Sequence, residues 1–169
     1  ILTMFKKKNG IKKRAMSGFS LLEAIVGISI FSIFIFSVML ASQLSQRTAS
    51  ESVRNIQTSF LLEEGVDTIK ILRNTSWSAN IASLVVGTNY YFNYNGTTWV
   101  SSPANVYVDG IFERKFVLEN VYRDASDDIA SSGTLDVGTR KATVNVSWLG
   151  RSGTTTKNAV FYLTNLFSN

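Results

Sequence analysis

Hydrophobic positions divide the chain into three stretches with different periods. From 24 to 46 there are 23 consecutive residues without a charge, and 14 of the 18 from 24 to 41 are aliphatic, Met or Phe. As a helix this run spans roughly 34 Å, enough to cross a hydrocarbon core of about 30 Å. From 46 to 75 the pattern turns periodic. Val53, Ile56 and Phe60 step by three and four, as do Leu62, Val66 and Ile69, and Leu72 extends the stripe. Arg47, Glu51, Arg54, Gln57, Glu64 and Lys70 fall largely between them. This predicts a one-sided amphipathic helix that needs a surface to pack against. Gly65 weakens it by about 1 kcal/mol relative to Ala. Lys70 and Arg73 suit the negative end of its dipole, and Asn74 suits its cap. No proline interrupts 19 to 74, so both stretches read as one helix of 56 residues, roughly 84 Å long.

From about 76 the period falls to two, and about four antiparallel strands are expected. Tyr90 to Tyr94 and Thr97 to Val100 flank Asn95-Gly96, a signal for a two-residue type I′ turn that sets Phe92 opposite Trp99. Between 111 and 123, Phe112, Phe116, Leu118 and Tyr122 alternate with Glu113, Lys115, Glu119 and Arg123. Ala142, Val144, Val146 and Trp148 alternate with Lys141, Thr143, Asn145 and Ser147, and a last strand covers 157 to 166. The expected fold is α+β, a long N-terminal helix whose second half packs on a small antiparallel sheet.

Composition narrows the chemistry. The 169 residues contain neither cysteine nor histidine, which removes disulfide scaffolds, thiolate and imidazole metal sites, and any Ser-His-Asp triad. The formal charge of +5 is misleading until it is divided. Lys6, Lys7, Lys8, Lys12, Lys13 and Arg14 crowd the first 18 residues, which hold no acid, while from 19 onward 11 basic residues face 12 acidic ones. The folded part therefore lacks the basic footprint of a nucleic-acid binder. Six cations ahead of the apolar run place the N-terminus in the cytoplasm and the rest outside. A cleaved secretory signal fits poorly, because the run exceeds the usual apolar core and Met39 occupies the position where a site after Ala41 needs a small residue. Met4 is the expected start of the chain.

Between basic leader and apolar run stands Gly18-Phe19-Ser20-Leu21-Leu22-Glu23. It resembles the processing signal of type IV prepilins and pseudopilins: basic leader, small residue, aromatic residue to be N-methylated, and a glutamate four positions on. The likeness extends to Ser59 through Arg73, similar to the exposed half of a pilin helix. The strand from Ala142 to Trp148, with Tyr162 to Asn165, resembles the sheet of PilV-type minor pilins. The resemblance implies cleavage after Gly18 by a membrane prepilin peptidase, methylation of the Phe19 amine, and residence in the inner membrane until the assembly platform draws the helix into a filament of other pilin subunits. It divides the chain into a cleaved leader (1–18), a transmembrane and filament-core helix (19–45), its amphipathic continuation (46–75) and a sheet head (76–169). The final location is then an extracellular pilus or a periplasmic pseudopilus. Many relatives carry a proline near the place that Leu40 holds here.

Glu23 fits that role physically. An ionised carboxylate at bilayer depth costs on the order of 3 kcal/mol, and a neighbouring subunit's Phe19 amine would compensate it and set axial register. Ser20 to Glu23 is also an S-x-x-E capping box, whose side chains satisfy the first backbone N–H groups of the helix. Gly27, Ser29, Ser32 and Ser37 favour close helix packing. Asp124, Asp127 and Asp128 read as an acidic turn rather than a calcium site, and Tyr90, Tyr91, Phe92, Tyr94 and Trp99 as cross-strand packing rather than a stacking platform for nucleic acid. No carboxylate pair, phosphate loop or activated nucleophile emerges, so the expectation is a structural protein without catalytic residues, metal or cofactor. A single-pass anchored binding protein with an uncut leader is the competing class. An adhesive or DNA-binding minor pilin is a third.

Overall fold

The computed structural model describes residues 18, 20–151 and 153–166. Helix α1, Leu21–Thr75, is continuous over 55 residues, as the absence of proline allows. A single π-helical turn, Ser78–Ala82, follows before any strand, and the first strand begins at Tyr90, as the alternation predicts. The Leu72 carbonyl near the helix end accepts from the Ser76 N–H at 3.2 Å and from the Asn80 side chain at 3.1 Å, and Asn74, expected as the cap, lies inside the helix.

Among the described residues seven antiparallel strands, not about four, make one sheet: β1 (Tyr90–Tyr94), β2 (Trp99–Ser102), β3 (Tyr107–Val108), β4 (Phe112–Arg123), β5 (Ile129–Ala130), β6 (Thr134–Gly150) and β7 (Gly153–Thr164). The spatial order is β2-β1-β4-β6-β7, with the short β3 and β5 also pairing with β4. The chain falls into two units, 1–47 and 48–169. In the second, the part of α1 from 48 onward lies on the sheet. Ile69 and Leu72 join Trp77, Ile81, Phe92, Phe116, Leu118, Ala142, Val144 and Leu163 in one core cluster. Phe112, Val146 and Trp148 form another beneath Leu61 and Leu62. Buried Thr58 and Thr68 return their hydroxyls to the Arg54 and Glu64 carbonyls, both at 2.7 Å, so the helix buries no orphan hydroxyl there.

Three expectations need correction. The helix stripe is not continuous. The buried residues Thr58, Gly65, Thr68, Ile69 and Leu72 share an arc of roughly 100°, whereas Val53, Ile56 and Phe60 centre roughly 140° away and stay exposed, Phe60 at 66%. The step from Phe60 to Leu62 is two residues, which carries the stripe about 200° round the helix. The hairpin register is also shifted. Tyr94 pairs with Trp99, and Phe92 with Ser101. The Asn95 side chain accepts from the backbone N–H groups of Thr97 and Thr98 at 3.1 and 3.0 Å, which centres the turn on Gly96-Thr97, with Gly96 at φ 93°. Finally, a register shift between Asn120 and Val121 reverses the faces of β4, so Val121 is buried where Tyr122 was expected.

The alternation in β4 also brings Arg114 inward, only 5% exposed. Its guanidinium pairs with Glu64 of α1 and lies 5.2 Å from the Phe92 ring centroid and 5.4 Å from that of Trp99. The aromatic faces and one carboxylate replace part of the water that this cation loses, while its Nε is buried without a hydrogen-bond partner.

Candidate functional site: the uncovered N-terminal helix

The sequence-marked residues lie at the start of α1. Gly18 is exposed and precedes the helix without regular structure. Phe19 and the basic leader, 1–17, lie outside the described residues. The Ser20 carbonyl accepts from the Ala24 N–H at 3.1 Å, opening the helical ladder. Glu23 is exposed in the first turn, where the partial positive charge of the helix end favours a carboxylate. Within one chain the described ones, Gly18, Ser20 and Glu23, form no enclosed site. They stand at one end of a surface.

That surface is apolar and uncovered. Large side chains from Leu21 through Ile25, Ile28, Phe31, Phe34 and Phe36 to Leu44 are all exposed. α1 is the one helix among the described residues long and apolar enough to cross a membrane. Its serines fit such surroundings. Ser29, Ser32 and Ser37 each donate to the carbonyl four residues back, Ile25, Ile28 and Ile33, at 2.8 Å. None of these hydroxyls needs water or a partner helix, so they are compatible with lipid and with protein alike. They do not form one packing stripe with Gly27, which lies roughly 140–160° around the helix from Ser29 and Ser32.

The head shows mostly self-satisfied chemistry. Asp124 closes an acidic turn, its Oδ1 accepting from the Ser126 and Asp128 N–H groups at 2.8 and 3.1 Å. No group of three or more potential metal ligands comes together among the described residues. The aromatic residues of β1 and β2 are engaged in packing: Tyr90 and Phe92 on Phe116 at 5.8 and 4.9 Å, and Tyr94 on Trp99 at 5.4 Å. Several cations of the head meet carboxylates, Arg123 with Asp136 and Lys141 with Glu119, both at 2.7 Å, and Lys115 with Glu113 at 3.2 Å.

Sequence reasoning missed the polar hub on the outer sheet face. Glu113 accepts from Tyr91, Asn105 and Lys115, each at 3.2 Å, and from Ser147 at 3.1 Å, tying β1, β4, β6 and the loop before β3. Burial alone would raise the Glu113 carboxyl. The hydrogen bonds from Lys115 and Ser147, the Lys115 charge and the Tyr91 hydroxyl outweigh it and hold the group below its ordinary value. Asp136 is lowered too, first by its hydrogen bond from Arg123, with the Gly138 N–H and the Arg123 charge adding to it. A carboxyl depressed on folding adds stability that is complete above its unfolded pKa, about 4, and is lost as pH falls through the lower folded value. Thermal melts should therefore show the midpoint falling as pH drops below about 4–5. In Glu113→Gln that acid dependence should be shallower, and an unchanged slope would remove Glu113 from the account.

No protein-family model matches the chain, and neither a curated protein nor a solved structure matches it.

Proposed function

We propose that this chain is a structural subunit of a type IV pilus or a related pseudopilus, most simply a minor pilin, processed after Gly18 and assembled through its apolar helix. The observation that carries the proposal is the uncovered surface of α1 from Leu21 to Leu44, beginning directly after the Gly18-Phe19-Ser20-Leu21-Leu22-Glu23 motif. So large a contiguous apolar surface marks an interaction site. A membrane covers it before assembly and neighbouring helices cover it afterwards. The back-bonded serines suit both states. On this reading Glu23, exposed in the first turn, accepts a neighbour's Phe19 amine, and a head-to-tail contact of this kind propagates as an open helix.

The test is the intact mass and N-terminal peptide of the native protein, taken from membranes and from sheared surface filaments. The expected result is a chain beginning at N-methylated Phe19 in the sheared fraction. A chain that keeps Lys6 to Gly18 and occurs only in membranes would defeat the proposal and leave an anchored, outward-facing binding domain.

A further inference from the structure

One end of the sheet differs from the other in a way that assembly through α1 does not use. Cross-strand register puts Val108, Phe112, Trp148 and Thr155 at one level. The turn between β3 and β4 and the turn between β6 and β7 therefore project from the same end. Helix α1 reaches that end at residue 54, where Arg54 Nη1 donates to the Leu149 carbonyl at 3.0 Å. Four apolar or aromatic side chains stand exposed there, Val106, Tyr107, Ile111 and Leu149, the last at 73%. The charged groups around them are of both signs, Arg54, Arg151 and Lys157 against Glu51, Asp109 and the Glu113 paired opposite Tyr107, so neither sign dominates. At the opposite end Ile129, Leu135 and Val137 are also exposed, but among four carboxylates, Asp124, Asp127, Asp128 and Asp136. One end is acidic and well hydrated. The other is apolar and neutral.

We propose that the neutral end, through Leu149, Ile111 and Tyr107, rests in the headgroup layer of the bilayer that the apolar half of α1 crosses. The proposal rests on the reading of that half as membrane-embedded. Covalent connection supplies the occupant. Arg54 lies eight residues beyond Gln46, the last of the uncharged run, so at most roughly 12 Å of helix separates this end from the point where the run stops. The headgroup region on each side of a bilayer is of comparable depth, about 5–8 Å. Leucine, isoleucine and tyrosine partition favourably into that layer, and charge balance leaves apolar contact, rather than attraction to anionic lipid, as the driving term. Docking should therefore occur on neutral lipid and persist at high salt. It would hold the subunit's acidic end away from the membrane before assembly.

The chain has no cysteine, so single-cysteine variants report one position each. The full chain is reconstituted in phosphatidylcholine vesicles and labelled with an environment-sensitive fluorophore at Leu149→Cys, Val137→Cys or Ile33→Cys. All three positions are exposed, so labelling leaves the core intact. Emission at Leu149→Cys should shift to the blue, with quenching by headgroup-level spin-labelled lipid several-fold stronger than at Val137→Cys and unchanged in high salt. Leu149→Cys behaving like Val137→Cys, while Ile33→Cys is quenched by deep labels, would overturn the docking and leave the embedded helix standing. If Ile33→Cys also escapes quenching, the embedded helix fails and the docking with it.

Discussion

Glu23→Gln is expected to remove the chain from sheared surface filaments while leaving its membrane level and its processing at Gly18 unchanged. Glutamine keeps the size of the side chain and can still serve a capping box, so the helix start should survive. What disappears is the charge. On the proposed assembly, a neighbour's Phe19 amine would then enter an apolar bundle without a counter-ion, and breaking a buried pair from one side costs roughly 3–5 kcal/mol. That corresponds to roughly two to four orders of magnitude in incorporation. The membrane form should be unharmed or slightly favoured, because a neutral side chain is easier to embed than a carboxylate. Quantitative immunodetection in membrane and sheared fractions reads both effects. Filaments that incorporate Glu23→Gln at the native level would reduce Glu23 to a helix cap. Equal loss from both fractions would point to failed insertion.

The second large effect concerns Gly65. An alanine there would gain about 1 kcal/mol of helix propensity. Its Cβ, however, would stand 2.9 Å from Val144 Cγ1, with Phe92 and Arg114 atoms at 3.5 and 3.7 Å. Val144 is fully buried on a central strand, so it has nowhere to move. Overpacking of this kind costs about 1–3 kcal/mol, more than propensity returns, and Gly65→Ala should destabilise the head. The control is the double variant. Val144→Ala removes the colliding methyl groups, so Gly65→Ala in that background should be neutral or stabilising, a coupling of about 1 kcal/mol or more in denaturant melts. Additive losses would show that the close approach does not set the helix–sheet distance.

These two residues also mark what was legible beforehand. The motif around Gly18 and Glu23 can be read because its chemistry is local: a small residue, an aromatic and a carboxylate at fixed spacing before an uncharged run. The long helix and the alternating strands are legible for a similar reason, since period and the lack of proline are properties of neighbouring residues. Gly65 was readable only as a weak point in a helix. Its purpose depends on Val144, distant in sequence, and becomes visible only when the sheet is in place. The same holds for Arg114, whose surroundings come from β1, β2 and α1. The hairpin register slipped because Asn95 satisfies backbone groups with its side chain, which alternation does not encode. The helix face was misjudged because Phe60 and Leu62 both look apolar, and only the sheet decides which of them is covered.

The three serine-to-carbonyl bonds in the apolar half of α1 bear on how that segment changes surroundings. On the proposed function, a subunit that passed from lipid into a filament would exchange its entire surroundings. Were its hydroxyls bonded to neighbouring chains, every passage would require breaking polar contacts in a medium that offers no replacement. Because Ser29, Ser32 and Ser37 carry their acceptors with them, the segment would cross that boundary as a closed hydrogen-bonding unit. On the proposed assembly, the barrier to moving it would then be set by shape fit and chain order in the new surroundings.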